Sequence, residues 1–314
     1  MHSDLFSVVG AGSLGASLCR ALVEKGFQLD QLIARNEAVG HALLVQLKGG
    51  RLSTRPVWEN LQPQTIFIAV PDDQIEGVAE RIAAEHGAAK HGAAKQGGKD
   101  RASFKGITFL HTSGVHNRFA LRALAERGAS VGSFHPLQTF LGSETASTFQ
   151  GITIGIEGDE KALEVANSFV NALAAQSVTV PSSKKTLYHA AAVLAGNAAT
   201  TLMAISEEVW TQALGSQMSF REAMAPLVRA SVENALIHTP AKGLTGPVSR
   251  GDVHSIERHL QAFSDNIPQL TAFYSVLTTE TVHLATRSGK ISTEKAVELL
   301  DLIHDHLSRL GIQD

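Results

Sequence analysis

The first half of the chain alternates short apolar runs with longer amphipathic segments. The apolar runs have the length and composition of buried strands and cover residues 5–9, 29–34, 65–70, 107–111, 130–134, 152–156 and 177–180. Segments with apolar positions at helical spacing lie between most of them, as at 16–25, 74–85 and 118–127. This alternation predicts a parallel β-sheet covered by helices.

The pattern changes after Pro181, where the strand signals stop. Residues 184–310 are mostly helical in pattern, with breaks near Gly215, at 239–252 and at 288–292. We therefore predict two domains, an α/β domain at 1–180 and an all-helical domain at 181–314. Because open α/β sheets bind ligands beyond the carboxyl ends of their strands, we expect the helical domain to close a cleft at that edge.

The composition narrows the classes of partner. The chain is 44% hydrophobic and 18% charged with a net charge of −3, so nucleic acid is not an expected partner. The longest apolar stretch, 190–205, contains Asn197 and two threonines, which favours a buried helix over a membrane span. A single cysteine, Cys19, excludes an internal disulfide framework. With Gly10 so close to the start, we expect no signal peptide and a cytoplasmic protein.

One segment has a different composition. Residues 86–90 and 91–95 have the same sequence, HGAAK, and are followed by QGGK at 96–99. This stretch of Gly, Ala and Lys has nothing to bury, so we interpret 86–103 as a mobile surface insertion in the first domain. A basic binding loop is the alternative.

The first apolar run ends in a glycine motif, Gly10-x-Gly12-x-x-Gly15, and an amphipathic segment follows at once. The three glycines suit, in order, a tight turn, close approach of the backbone to a pyrophosphate, and packing of the helix on the strand. Phosphates would then lie on the N–H groups that begin the helix, those of Ser13 and Leu14 included. This context predicts a dinucleotide site in a Rossmann doubly wound sheet; a glycine turn in another α/β protein is the alternative.

The end of the second strand indicates which dinucleotide binds. An acidic residue there usually binds the ribose of NAD, but this chain has Arg35 and Asn36, and Asp30 lies at the start of the strand. Arg35 can pair with a 2′-phosphate through charge-assisted hydrogen bonds. We therefore predict NADP(H) rather than NAD, with a solvated Arg35 as the alternative.

The next strand ends indicate where the reaction takes place. Val70 and Pro71 suit a wall beside the ribose and nicotinamide. A second group consists of Thr112, Ser113, Gly114 and His135. These residues offer hydroxyl groups, backbone N–H groups and an imidazole, which could bind the nicotinamide and a substrate carboxylate. Asp72 and Asp73 are equally well explained as helix caps.

The segment that opens the helical domain combines polar and small residues. At helical spacing Lys185, His189 and Gly196 share one face, and Asn197 lies beside it. Burying such groups costs free energy unless they bind something, so we predict a ligand-binding face, with plain helix packing as the alternative.

A later turn, 244–252, carries Ser249 and Arg250, which could hold a substrate carboxylate; Arg250 pairing with Asp252 is the alternative. We expect no metal site, because His304 and His306 on the last helix point apart.

Taken together, the motifs GAGSLG, AVPDD, HTSG, GSFHPLQTF, LYHAAAVLAGN and LTGPVSRGD resemble a widespread bacterial family. It joins a Rossmann-like domain to a helical domain long labelled as of unknown function, which is similar to the C-terminal domain of 6-phosphogluconate dehydrogenase. Some members are alternative ketopantoate reductases, and Lys185 and Asn197 match the lysine and a later asparagine that contact substrate in ketopantoate reductases. The match is incomplete, because His189 stands where that pattern has an asparagine.

The resemblance implies an NADPH-dependent reductase of a small 2-oxo acid, with ketopantoate the best single candidate. The implied catalytic residues are Lys185, which would polarise the carbonyl, together with Asn197 and His135. Substrate binding would involve Ser113, Gly114, His135, His189, Asn197, Ser249 and Arg250. Alternatives are an enzyme similar to pyrroline-5-carboxylate reductase or, from His135-Pro136, to prephenate dehydrogenase, and a non-catalytic NADP-binding sensor. A homodimer through the helical domain is implied by analogy.

Overall fold

The structure is a computed structural model that describes residues 4–58, 62, 64–88 and 103–311. Most of the predicted insertion, 89–102, lies outside the described residues, and its first residues belong to the end of a helix. The chain divides into two compact units, Met1–Ala199 and Thr200–Asp314.

The first unit is built on one eight-stranded sheet with the strand order β3-β2-β1-β4-β5-β6-β7-β8. Its first six strands have the order of a doubly wound Rossmann sheet, with a switch point between β1 and β4. The strands are β1 (Leu5–Val9), β2 (Gln28–Ile33), β3 (Arg51–Ser53), β4 (Thr65–Ile68), β5 (Thr108–His111), β6 (Ser130–Pro136), β7 (Thr153–Gly158) and β8 (Gln176–Thr179).

Two features of the sheet differ from the prediction. The three-residue edge strand β3 was missed, because it is too short and too exposed to show a pattern. The predicted parallel sheet is present, except that β6 and β7 run antiparallel. A parallel pair needs a crossover, commonly a helix of some length, and the segment between β6 and β7 contains only one four-residue helix.

Helices cover both faces of this sheet. They are α1 (Ser13–Glu24), α2 (Glu37–Leu47), α3 (Ile75–Ala88), α4 (Arg122–Ala125), α5 (Ala146–Phe149), α6 (Glu160–Ala172) and α7 (Lys185–Ala195). The helix predicted at 118–127 is a 3-10 turn, Arg118–Leu121, followed by α4. Along β4, Phe67 packs in one core with α1 and α6, and its neighbours Ile66 and Ile68 pack in the other with α3. Burial of each such side chain contributes about 1.5–3 kcal/mol.

The second unit consists of helices. Together with α8, which begins at the end of the first unit, they are α8 (Asn197–Leu214), α9 (Phe220–His238), α10 (Pro240–Gly243), α11 (Val253–Asn266), α12 (Thr271–Arg287) and α13 (Thr293–Arg309). The breaks fall where the sequence predicts them. The buried core lies between α11, α12 and α13, with Val248 added from a 3-10 turn. Among the helices that the structure describes, none is both long and apolar enough to span a membrane.

Together these elements confirm the predicted fold class, a Rossmann-type sheet followed by an all-helical C-terminal part.

Candidate functional site

The turn between β1 and α1 needs glycine at two positions. Gly10 has a φ of +108°, and a Cβ there would overlap the carbonyl oxygen of Ala69. A Cβ on Gly15 would overlap the carbonyl oxygen of Gly10. Gly12 is different, because its Cβ would meet only open space. The fold therefore requires Gly10 and Gly15, whereas the free space at Gly12 leaves room for a ligand to approach the backbone.

A pocket of about 390 Å³ opens beyond the ends of β1, β2 and β4. Six of the residues predicted to bind cofactor line it: Gly10, Gly12, Arg35, Asn36, Val70 and Pro71. Arg81 of α3 lines it as well and was missed, because nothing in a helix pattern singles out one exposed arginine. The described lining contains two arginines and no carboxylate. This pocket therefore attracts anions.

The neighbouring residues of the turn are also placed. Ser13 lines an adjoining pocket of about 350 Å³, and Leu14 packs partly against the core. The side chain of Asn36 accepts a hydrogen bond from the Val39 N–H and caps α2. Asp30 pairs with Arg51 at 2.6 Å and does not line the pocket.

A second pocket, of about 550 Å³, lies between the end of β6 and α7. Its polar lining includes three predicted site residues, His135, His189 and Asn197, and Tyr188 besides. The rest of its described lining is mainly apolar, with small residues of α7 forming one wall. The predicted polar face of this helix thus lines a cavity large enough for a small substrate.

Lys185 does not line that cavity. Its side chain is among the most buried of the chain, and Nζ donates to the Ser113 carbonyl oxygen at 3.0 Å and to Ser133 Oγ at 2.8 Å. Burial lowers the pKa of Lys185 to about 8, against the opposing effect of the Glu157 and Asp72 carboxylates. In this arrangement the ammonium holds the ends of β5 and β6 together and does not face the pocket.

The loop after β5 is fixed by its own hydrogen bonds. Ser113 Oγ accepts from the N–H groups of Val115 and His116, and the Ser113 N–H donates to His111 Nδ1 at 3.2 Å. Burial, with the charge of Lys185 added, lowers the pKa of His111 to about 3. The Ser113 hydroxyl predicted to meet substrate therefore has backbone partners already. Thr112 is also buried, and its N–H donates to the Ile68 carbonyl oxygen.

Gly114 lies against two imidazole rings. A Cβ at this position would overlap His189 and would come within 2.8 Å of His135 Nε2. Any larger residue at 114 would therefore displace the histidines. The loop after β5 and the end of β6 therefore meet at Gly114 and His135.

His135 and Tyr188 form a hydrogen-bonded pair. Their Nδ1 and hydroxyl oxygen are 3.0 Å apart, and the rings meet edge to face. Burial and the charges of Lys185 and His189 lower the pKa of His135 to about 4. Burial raises the pKa of Tyr188 to about 12. Tyr188 was missed by the sequence analysis, although it precedes His189 and lies three residues after Lys185, within the same helical face.

Glu157 of β7 is a further residue that the sequence analysis missed. Its buried carboxylate accepts from the Arg118 N–H and from Ser182 Oγ, both at 2.7 Å. Ser182 lies in the 3-10 turn Ser182–Lys184 that leads into α7. The carboxylate thus fixes the start of the helix that carries Lys185, Tyr188 and His189.

Two predicted substrate residues lie in the second unit. Ser249 and Arg250 form a 3-10 turn in which Ser249 Oγ donates to the Gly246 carbonyl oxygen. Asp252 accepts from the N–H and Oγ of Ser255 and caps α11, and the nearby charge of Arg250 helps to lower the pKa of Asp252. The substrate roles of Ser249 and Arg250 stay predictions.

Comparisons with known proteins agree with this architecture. A family described as a domain of unknown function, DUF2520, matches residues 152–281, less than half of the chain. No curated protein matches the sequence.

Solved structures with the same fold include oxidoreductases. A Bacteroides fragilis protein provisionally named an NADP oxidoreductase is 20% identical, with a TM-score of 0.69 over 88% of this chain and 97% of its own. A reductive aminase from Aspergillus terreus, in complex with NADPH and ethyl-5-oxohexanoate, is 16% identical, with a TM-score of 0.55 over 98% and 95%. Arogenate dehydrogenase from Synechocystis is 15% identical, with a TM-score of 0.50 over 98% of this chain and 99% of its own. At these identities the likeness shows the fold.

Proposed function

We propose that this protein is an NADPH-dependent reductase that acts on the carbonyl group of a small 2-oxo acid, with ketopantoate as the first substrate to test. The observation that carries this proposal is the arrangement at one edge of the sheet. An anion-attracting pocket with a glycine turn lies at the ends of β1, β2 and β4, and a proton-bearing cluster lies at the ends of β5 and β6. The NADP oxidoreductases among the similar structures support it.

The first pocket fits NADPH. The N–H groups that begin α1 are oriented to bind a pyrophosphate, and the open space at Gly12 lets it approach. Arg35 and Arg81 would hold the 2′-phosphate, for which two guanidinium groups and no opposing carboxylate are the appropriate chemistry. Bound NADPH supplies a hydride for the reduction.

The residues of the second pocket would position the substrate and supply the proton. His135 and Tyr188 are the titratable groups closest to a ligand in this pocket, and Asn197 offers an amide that can orient one. Lys185 would act from behind them, through the Ser113 carbonyl and through its charge, rather than by touching the substrate. This changes the role that the sequence predicts for Lys185 while keeping it in the site.

The lining of the second pocket favours a second candidate, the reduction of an imine or of an uncharged ketone. Its described residues include no lysine or arginine, and the low pKa of His135 keeps that ring neutral near pH 7. A substrate carboxylate would therefore need a cation from outside this lining. An apolar ketone or cyclic imine needs none. The reductive aminase with NADPH and a keto ester is a structural neighbour of this kind.

One experiment separates these candidates. The purified protein is given NADPH or NADH with a panel of ketopantoate, other 2-oxo acids, pyrroline-5-carboxylate, prephenate and simple cyclic imines, and oxidation of the cofactor is followed by its absorbance. We expect turnover with NADPH and a 2-oxo acid. Turnover with imines alone would select the second candidate, and cofactor binding without turnover of any substrate would identify a sensor.

We also propose a cytoplasmic homodimer, assembled through the helices of the second unit. The exposed apolar side chains of α9 support the dimer.

A further inference from the structure

The hydroxyl group of Tyr188 is held by two strands besides its own helix. It lies 3.0 Å from Nδ1 of His135, in β6. It also lies directly over Gly155 of β7, where a Cβ would overlap the phenol oxygen. Gly155 is the residue that pairs with His135 across β6 and β7, so the phenol lies over the place where the two strands pair. The phenol oxygen thus occupies a fixed place that requires glycine at 155.

These contacts determine which way the His135–Tyr188 hydrogen bond runs. With a pKa of about 12, Tyr188 keeps its proton at neutral pH. Among the residues that the structure describes, His135 Nδ1 is the hydrogen-bond partner of this hydroxyl, so the O–H donates to Nδ1. A neutral imidazole carries one N–H and one acceptor nitrogen. Because Nδ1 is the acceptor, the proton of His135 lies on Nε2.

The other ring nitrogen of His135 is Nε2. It lies against Gly114, the residue whose missing side chain makes room for both imidazoles. His135 lines the 550 Å³ pocket, and within the described part of the chain Nε2 has no hydrogen-bond partner. An N–H without a protein acceptor, on a ring that lines a pocket, is suited to donate to a bound molecule.

We propose that Tyr188 is a positioning residue that holds His135 in the Nε2–H tautomer, and that Nε2 donates the proton to the substrate heteroatom during reduction. The proton donation from Nε2 rests on the proposed function. The tautomer of His135 does not, because it is a property of the protein without ligands.

The proton transfers balance. When the substrate carbon receives the hydride, the π electrons move to the oxygen or nitrogen, which forms a bond to the Nε2 proton. At the same time Nδ1 takes the proton of the Tyr188 hydroxyl, so the imidazole stays neutral. When the product leaves, the phenolate takes its proton back from Nδ1 and Nε2 regains a proton from solvent, which restores the Nε2–H tautomer.

The charges that face His135 suit a neutral donor. Lys185, His189 and Asp72 are the titratable groups whose charges act on it, and Lys185 has the largest effect among them. The two basic groups disfavour a positive imidazole. With a pKa of about 4 the ring of His135 is neutral at pH 7, where Lys185, with a pKa of about 8, is still charged.

The tautomer is tested without substrate or cofactor. Histidine side chains of nitrogen-labelled protein are observed by heteronuclear NMR near pH 7.5, roughly one unit above the usual histidine pKa, and His135 is assigned from the spectrum of His135→Gln. We expect the wild type to show Nε2 protonated and Nδ1 unprotonated, and Tyr188→Phe to show a mixture of tautomers. A wild-type ring protonated at Nδ1, or a tautomer unchanged in Tyr188→Phe, would overturn the positioning role.

The chain offers a matched control. The hydroxyl of Tyr274, the other tyrosine, is 2.8 Å from Nδ1 of His259 in the second unit. Tyr274→Phe therefore removes the same kind of His–Tyr hydrogen bond outside the candidate site. With any substrate that the panel identifies, Tyr188→Phe should lower kcat on the order of 10²-fold with a similar KM, and Tyr274→Phe should leave both unchanged.

Gly155→Ala provides a second variant that keeps the phenol. The added Cβ displaces the hydroxyl from His135, so the same mixture of tautomers and the same loss of kcat are expected. Wild-type kcat in Tyr188→Phe would overturn the proton transfer. If no substrate is turned over, the proposed function fails, and the NMR result still decides the role of Tyr188.

Discussion

At the scale of single residues, the two arginines of the first pocket determine the choice of cofactor. Each can form charge-assisted hydrogen bonds to a 2′-phosphate, which contribute about 1.5–3 kcal/mol. We expect Arg35→Gln and Arg81→Gln each to weaken NADPH binding by about 10- to 150-fold, with NADH binding nearly unchanged. Fluorescence titration of both cofactors measures this.

Arg122→Gln is the control for these variants, because Arg122 is exposed on α4, near Glu126, and does not line the pocket. A variant that loses NADH and NADPH affinity equally would show that its arginine supports the pocket in general and does not recognise the phosphate.

Lys185 provides a second prediction at this scale, which concerns the pKa of its neighbour. The charge of Lys185 is one of the causes that hold the pKa of His135 near 4, and burial of the ring is the larger one. Lys185→Met removes the charge and keeps the burial, so the pKa of His135 should rise but stay below the ordinary value of 6.5. Titration of the His135 signal by NMR measures the shift.

The adjacent Lys184 is exposed, so Lys184→Met is a matched control. This substitution should leave the pKa of His135 unchanged. A fall in the pKa of His135 in Lys185→Met would contradict the electrostatic account.

The sequence could identify some of the site residues and not others. His135, Lys185 and His189 stand out because polar groups are unusual at a strand end before proline and on an apolar helix face. Tyr188 and Glu157 do not, since a tyrosine beside a pocket and a glutamate in a strand are common, and their roles depend on partners far away in the chain. The burial of Lys185 could not be predicted from the sequence either, because it results from how β5 and β6 meet.

At the scale of secondary-structure elements, two glycines of the turn between β1 and α1 have different roles, one in folding and one in cofactor binding. A Cβ on Gly15 would overlap the Gly10 carbonyl and force α1 away from β1, so Gly15→Ala should lower the free energy of unfolding by about 1–3 kcal/mol and weaken NADPH binding. A Cβ on Gly12 meets nothing in the protein, so Gly12→Ala should weaken NADPH binding with an unchanged unfolding midpoint.

The two glycine variants control each other. Chemical denaturation and NADPH titration of both proteins give the two quantities, and equal destabilisation by both substitutions would argue against the assignment of Gly12 to the ligand.

Elements were predictable where a local pattern decides them. Each of the seven predicted strands is present. Strands such as β4 and β5 are apolar runs buried on both faces, which have few other solutions, whereas β8 is exposed along its length. The direction of β7 was not predictable, since it depends on the path of the segment before it. The domain boundary also depends on contacts between distant parts of the chain. The predicted boundary, at residue 180, follows the last strand. The first compact unit extends to Ala199, and the hydrogen bonds of Lys185 link α7 to the loop after β5 and to β6.

At the scale of the whole molecule, the second unit leaves two long helices without a core. No residue of α9 is buried. Its exposed apolar side chains include Leu227 and Val232, together with Leu236, which is 81% exposed, and Ile237, which is 65% exposed. No residue of α8 is buried either. Helices owe most of their stability to packing, and such an apolar surface is typical of an interface. A second copy of the chain is the occupant that we propose, since most oligomers of soluble proteins are symmetric assemblies of one chain.

Size-exclusion chromatography with light scattering tests the dimer. We expect the wild type to be a dimer whose melting temperature rises with protein concentration, because association stabilises the folded state by mass action. Leu236→Glu combined with Ile237→Glu places two charges on the apolar surface and should give a monomer that melts at a lower temperature. Val45→Glu on α2, an equally exposed position of the first unit, should leave the dimer intact. A wild type that is monomeric at every concentration would exclude the assembly, and a double variant that remains dimeric would place the interface on another surface.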